Sequence, residues 1–321
     1  MILSIGVIAY TIHDTGSFVR KGVSLSGGVS ATITLDAPVG RDVLSTALLE
    51  AFPDGDFAVR TLSGSIPTYV VEAANLLGGE QEAAHALEAY FVQELSATSV
   101  SLETTGPSLG ASFFNQTILG VLLAFLWMGW VVFLYFGSGK WLKVLLGVIA
   151  LSATILVTSG VFSGTTGLVL LFAVVLAHIV FYLIVSVPSG AIILAAASTI
   201  LFTLAVINLM GVRLSTAGVA AFLMIIGYSV DTDILVSTRV LKTGKGSAPL
   251  FQRLLGGVKT GLTMQVTTTV AVTVAFIVST SEVISQIMLI LLIGMVGDII
   301  FTWLQNAGIL YWYVLRKGDT V

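Results

Sequence analysis

From about residue 113 to 314 the chain is a succession of apolar stretches of roughly twenty residues, separated by short polar turns. A hydrocarbon layer ~30 Å thick takes ~20 helical residues to cross, at ~1.5 Å of rise each. With no water to satisfy backbone N–H and C=O groups there, such stretches must be helices. We place the spans at roughly 113–136, 142–162, 167–186, 190–210, 216–238, 258–279 and 284–314. Composition agrees: 10% of the 321 residues are charged and 56% hydrophobic, whereas a soluble domain carries about 25% charge. The chain reads as a polytopic α-helical membrane protein embedded in a lipid bilayer. Its 14 basic and 17 acidic residues nearly cancel, which excludes a nucleic-acid partner held by a strong basic field. With no cysteine, disulfides, thiolate metal sites and cysteine nucleophiles are excluded. His13, His85 and His178 lie far apart without ligand spacing, so no metal and no cofactor is expected.

Most of the charge lies in residues 12–107. Met1–Tyr10 is apolar but about half the length of a span, and 1–11 reads as the outer part of a first transmembrane helix whose start is missing. Residues 12–107 alternate strands and helices. Val23–Leu35 is β-rich. Gly40–Ala51 carries Val43, Leu44, Ala47, Leu48 and Ala51 at helical spacing. Phe57–Leu62 and Thr68–Ala73 alternate as strands joined by Ser63-Gly64-Ser65, Gly79–Leu95 is helical, and Ser99–Thr104 is a last strand. The order β-α-β-β-α-β is that of an α+β ferredoxin-like domain. Residues 108–318 form the membrane domain, with about seven helices.

Basic residues set the orientation. Lys140 and Lys143 follow the first long span, Arg239, Lys242, Lys245, Arg253 and Lys259 crowd the loop 239–258, and Arg316 and Lys317 follow the last span. With alternating spans all three places share one side, the cytoplasm. Residues 12–107 and the loops near 163–166, 211–215 and 280–283 are then extracytoplasmic, with Arg213 the only basic residue in those three loops.

A carboxylate at the bilayer centre costs ~2.5–3.5 kcal/mol or more, so acids within spans usually face a bundle interior and carry function. Three stand out: Asp231 and Asp233 in YSVDTDILV, and Asp298 in IGMVGDIIF. Counted from Thr216, Asp231 lies ~22 Å along its span. Asp298 lies at nearly the same depth, and Gln265, Thr267 and Thr268 on the intervening span come to the same layer. Carboxylates bind and release protons, and amides and hydroxyls orient water or complete a coordination shell. This set is therefore a candidate proton or ion path. The alternative is that it only holds helices together. Residues two apart point to different faces of a helix, so Asp231 and Asp233 face different partners. His178 reads as an interhelical donor, Gln305 and Asn306 as bonding neighbours or interfacial water, and Gly211, Gly218, Gly227, Gly294 and Gly297 as close helix contacts. No nucleophile–base set is visible, and an enzyme is not expected.

Gly218–Leu241, GVAAFLMIIGYSVDTDILVSTRVL, resembles the signature helix of the archaeal SecF family. Lys21-Gly22-Val23 with Gly27-Gly28, Gly106-Pro107-Ser108, Lys259–Met264, Gly297-Asp298 with Thr302-Trp303, and Asn306-Ala307-Gly308 resemble it too. Gly227 and Arg239 belong to the motif helix. The resemblance implies six helices, a ferredoxin-like extracytoplasmic domain, and help to preproteins crossing the cytoplasmic membrane through the Sec channel. It implies a SecD-like partner, kinship with the RND superfamily, coupling to a proton or ion gradient, and a functional carboxylate at Asp231–Asp233. Ser24 stands where the family's glycine motif usually has an acid. Asp231-Thr232 stands where bacterial members have Asn-Asp, and Thr260 beside Lys259 where they have a relay arginine. Residues 137–187 look like an inserted helical hairpin. Two other readings stay open: an RND-type small-molecule permease, and a structural scaffold of the Sec complex without ion coupling.

Overall fold

The computed structural model describes residues 1–62, 66–74, 79–160, 164–241 and 249–317. Ser63-Gly64-Ser65, Lys242, Lys245 and the start of the 163–166 loop lie outside the described residues.

Four antiparallel strands, β1 (Gly28–Thr34), β2 (Asp56–Leu62), β3 (Thr68–Ala74) and β4 (Ser99–Thr105), form one sheet in the order β2-β3-β1-β4. Strict alternation along β1 turns Val29, Ala31 and Ile33 to one face. That face is covered by α3 (Arg41–Ala51) through Leu44 and Leu48, and by α4 (Glu80–Gln93) through Leu87 and Phe91. Of the apolar positions expected on α3, Val43 (65% exposed) and Ala51 point to solvent. β3 is buried on both faces: Tyr69, Val71 and Ala73 enter the helix-covered core, while Val70 and Glu72 sit on the opposite side.

The strand expected over Val23–Leu35 begins only at Gly28. Before it, Val23–Ser26 makes one helical turn, α2. Gly27 and Gly28 end that turn with φ of +91° and +128°, a backbone L side chains avoid. The paired glycines, not the β-rich composition, decide this stretch.

Among the described residues, seven helices are long and apolar enough to cross a membrane. They are α5 (Pro107–Phe136), α6 (Lys140–Thr158), α7 (Gly164–Val185), α8 (Val187–Leu209), α9 (Thr216–Leu241), α10 (Leu250–Val278) and a 35-residue helix over Glu282–Arg316. The last comprises α11 (Glu282–Ile300), a π-helical turn (Phe301–Asn306) and α12 (Ala307–Arg316). Pro107 and Pro188 open α5 and α8, where a missing N–H costs nothing. The N-terminal α1 (Ile2–Thr15) lies along α8 and buries Ser4 and Thr11.

α8 is the centre of the bundle, in contact with α1, α7, α9, α11 and the π turn. Its buried positions include Gly190, Ala191, Ala195, Ala196, Ser198 and Thr199. Small side chains let neighbouring backbones approach, which is how helices associate where lipid removes the hydrophobic incentive. α6 is peripheral and packs mainly on α5, with Trp127 donating to Thr154 (2.9 Å) and Trp130 to the Lys143 carbonyl (2.9 Å).

Candidate functional site: a buried acid layer

α9 carries Ser229, Asp233 and Ser237 at four-residue spacing, and all three are buried. Asp233 is 0% exposed and Asp298, on α11, is 2% exposed. Gln265 enters from α10, also at 0%, donating to Asp298 Oδ2 at 2.5 Å. Its own carbonyl oxygen accepts from the Trp303 indole N–H at 2.8 Å. Thr302 donates to Asp298 Oδ1 at 3.2 Å, and Asn306 donates to Asp233 Oδ1 at 2.8 Å. Asp233 Oδ2 has no hydrogen-bond partner. The two carboxyls lie within electrostatic reach of one another.

The π turn sets this geometry. Asp298, Thr302 and Asn306 are spaced by four, and in a regular α-helix that row drifts around the axis by ~40° per step. The i→i+5 bonding of Phe301–Asn306 widens the turn. It holds Thr302 and Asn306 on the face that meets α9, while Trp303 reaches Gln265. Gly261 makes room for that indole: a Cβ there would sit 2.7 Å from the Trp303 ring.

Asp231 lies on a different face of α9 from Asp233 and is exposed. It lines a cleft of about 350 Å³ between α9, α10 and α11, together with Tyr228, Ser229, Thr268 and Asp298. Much of the remaining wall is apolar, including Met224, Ile225, Val272 and Leu291. A water occupies ~30 Å³ in the liquid, so the cleft has room for several. Asp231 and Asp298 thus share one cavity, with Asp233 deeper in the bundle.

The structure brings Asp233, Asp298 and Gln265 together, and puts Asp231 and Thr268 on the cleft. It does not bring in Thr267, whose hydroxyl turns outward and donates to the Thr263 and Met264 carbonyls of its own helix. Arg239 donates to the Gly256 carbonyl (2.8 Å), joining the ends of α9 and α10. Thr260 donates to the same carbonyl (3.2 Å). Gly227 is a correction: a Cβ there would meet nothing within 4 Å, because it lies on the outward face of α9. Gly211 turns the chain at φ +69°, whereas Gly218, Gly294 and Gly297 do face close side chains. His178 is a second correction. Its Nδ1 donates within its own helix to Val174 O (2.8 Å), and Nε2 is buried without a partner. Asn306, expected to bond neighbours or interfacial water, does bond a neighbouring helix: it is buried and donates to Asp233 of α9. Among the described residues, no group of three His, Cys, Asp or Glu side chains forms a metal site.

The glycine motif lies far from the acids. Gly22 N donates to Leu214 O (2.8 Å) and Leu214 N to Arg20 O (2.7 Å), stitching this segment to the α8–α9 connection. Ser24 Oγ accepts from the N–H of Thr216, the first residue of α9, at 3.1 Å. Gly27 and Gly28 leave no space for a side chain: a Cβ on Gly27 would lie 2.7 Å from Pro107 Cα, and one on Gly28 would strike the Ala73 carbonyl. The motif is a joint between the sheet, α5 and the start of α9.

Residues 163–316 match the family model for the C-terminal part of protein export membrane protein SecD/SecF. The match begins within the expected hairpin, so it takes in α7 and leaves α6 outside. The chain is 43% identical over 324 residues to the protein-export membrane protein SecF of Methanolacinia petrolearia, covering 99% of this chain and 92% of that one. It is 32% identical over 307 residues to SecF of Methanothermobacter thermautotrophicus, covering 92% and 84%. Among solved structures, it resembles the crystal structure of SecDF, a translocon-associated membrane protein from Thermus thermophilus. The TM-score is 0.62 at 18% identity, over 99% of this chain and 37% of that one, a likeness of fold. With relatives this similar along nearly their whole length, the chain belongs to the SecF family of protein-export membrane proteins.

Proposed function

We propose that this protein is an accessory subunit of the Sec protein-export machinery, working with a SecD-like subunit beside the translocation channel and drawing on a proton or ion gradient. The observation that carries the coupling is the acid layer: Asp233 and Asp298 buried among membrane-crossing helices, each held by amide or hydroxyl donors from another helix or helical turn. A proton enters the cleft at Asp231, passes through water to Asp298, and exchanges with Asp233 past Thr302. An ionised carboxylate needs the donors of Gln265, Thr302 and Asn306, and a neutral one releases them. Each protonation step therefore changes how α9, α10 and the π turn grip one another.

The sheet with its two helices is read as a ferredoxin-like domain outside the cytoplasm, in contact with the emerging preprotein. Arg213 and Glu282, near the ends of α9 and α11 opposite Arg239 and Arg316, touch the sheet, which supports the orientation drawn from the basic loops. Asp231 and the open Gly227 on the outward face of α9 support a partner helix there. A carboxylate left in lipid is costly, and a SecD-like helix with a hydrogen-bond donor removes that cost. Within the hairpin 137–187, α6 is read as peripheral to this machinery, while α7 packs on α5 and α8.

The test is the series Asp231→Asn, Asp233→Asn and Asp298→Asn in an export assay with the SecD-like subunit present and a gradient imposed. Loss of the gradient-dependent part in Asp233→Asn or Asp298→Asn, with co-purification of the partner intact, supports the reading. Normal export by all three overturns ion coupling and leaves a scaffold.

A further inference from the structure

The sheet is fastened to the membrane helices in two different ways. On one side is the glycine joint, where α2 and the segment before it are packed into the bundle. Val19 and Leu25 are buried there with Ile207, Leu214 and Phe222. Gly110 on α5 comes so close that a Cβ would lie 2.7 Å from Gly27 N. Beside it, where a Cβ on Gly22 would lie 3.0 Å from Glu72 Oε1, the fastening is ionic. Arg60 of β2 donates through one nitrogen, Nη2, to Glu72 Oε1 of β3 (2.7 Å) and to Glu282 Oε1 at the start of α11 (2.6 Å). Arg213, in the α8–α9 connection, donates to Asp56 of β2 (2.6 Å).

The ionic side is incompletely satisfied. Arg60 Nε and Glu72 Oε2 are buried and have no partner. A single guanidinium nitrogen serves two carboxylates, where a bidentate fork would serve one firmly. Glu72 belongs to the sheet and Glu282 to the membrane helix, so that one nitrogen, with an N–H for each, bridges the two. The glycine joint is held without ion pairs, by apolar packing, backbone hydrogen bonds and two side-chain hydrogen bonds, Thr216 N–H to Ser24 Oγ and Asn208 Nδ2 to the Phe18 carbonyl.

We propose that Arg60 is a reversible tie between the sheet and the outer end of α11, and that its release lets the sheet pivot about the joint at Gly27-Gly28 and Pro107. The tie engages α11, the helix that carries Asp298, while Arg213 engages the connection leading into α9, which carries Asp233. The Arg60 and Arg213 contacts together therefore link the sheet to both acid-bearing helices. The tie itself stands apart from the ion-coupling reading; only the use of the motion rests on that reading.

The chain has no native cysteine, so two introduced at Thr61 and Thr280, both exposed, carry nitroxide labels cleanly. Pulsed electron-spin distances are measured on the full chain in bilayers without gradient or preprotein. The wild-type background gives one narrow distance. Arg60→Gln and Glu282→Gln each broaden it, with the population at longer distance rising about tenfold, the scale of one lost charged hydrogen bond. The double substitution is no worse than either single one. A label pair within the sheet, Thr61 with Ser99, stays narrow and shows that the sheet remains folded. Glu282→Gln leaves every sheet residue untouched, so it decides the matter even where Arg60→Gln disturbs β2. An unchanged Thr61–Thr280 distance in Glu282→Gln overturns the tie, whatever the Asp→Asn export series shows.

Discussion

Beneath the sheet, the buried side chains are Leu44, Leu48, Leu87, Phe91 and the inward residues of β1 and β3. In the helical bundle, buried positions of α8 and α9 include Ser189, Ser198, Thr199, Thr203, Asn208, Ser229, Thr232, Asp233 and Ser237. One chain thus builds two cores for two solvents. The sheet is held by driving large apolar groups out of water, worth about 25 cal/mol per Å². The bundle gains little that way, because lipid is as apolar as leucine. It uses small residues for close packing and buried polar pairs for specificity, and the same pairs provide chemistry.

Four changes sharpen or break this contrast. Phe91→Ala should cost the sheet ~3–5 kcal/mol by leaving a cavity. Amide hydrogen exchange of β1 should accelerate while that of α8 and α9 does not, and a bundle that loosens with it would show the two cores are one. Gln265→Leu should cost the bundle ~1–3 kcal/mol although leucine is more apolar, because it strands Asp298 Oδ2 and the Trp303 N–H. Detergent-induced unfolding followed by helix content measures it; a stabilised variant would show the polar layer is not structural.

Glu72→Gln is the smaller, signed test. Burial pushes the Glu72 carboxyl above its ordinary 4.5, and the nearby Arg60 and Arg213 charges offset this only in part, with Asp56 acting against them. The folded chain therefore holds this proton to higher pH than the unfolded one. The stability this contributes is full below 4.5 and is lost as pH rises through the folded value. Wild type should lose sheet stability over that window, and Glu72→Gln should be flatter, as read from unfolding midpoints against pH. Last, Thr267→Ala should change bundle stability by no more than about 0.5 kcal/mol, since its hydroxyl bonds only its own helix.

The acids were legible because Asp233 and Asp298 stand against an apolar background in which any charge is conspicuous. Asp231 and Asp233 were separable by helical periodicity alone. The sheet's helices and later strands followed from alternation, with Gly27-Gly28 the overlooked breaker. Two things were hidden. FTWLQN contains no glycine or proline to mark a π turn, so the placement of Trp303 and Asn306 had to come from tertiary packing. Arg60 and Glu282 are 222 positions apart, and periodicity says which face a residue occupies, not which distant end it meets.

The wide turn at Phe301–Asn306 leaves the final helix with slack. One step of the chain corresponds to ~100° of rotation in a regular α-helix. Were that slack to slip by a single residue, the segment it crossed would swivel by about that amount while both helix ends stayed put. Asn306 would leave Asp233, and the crossing itself would be no longer and no shorter.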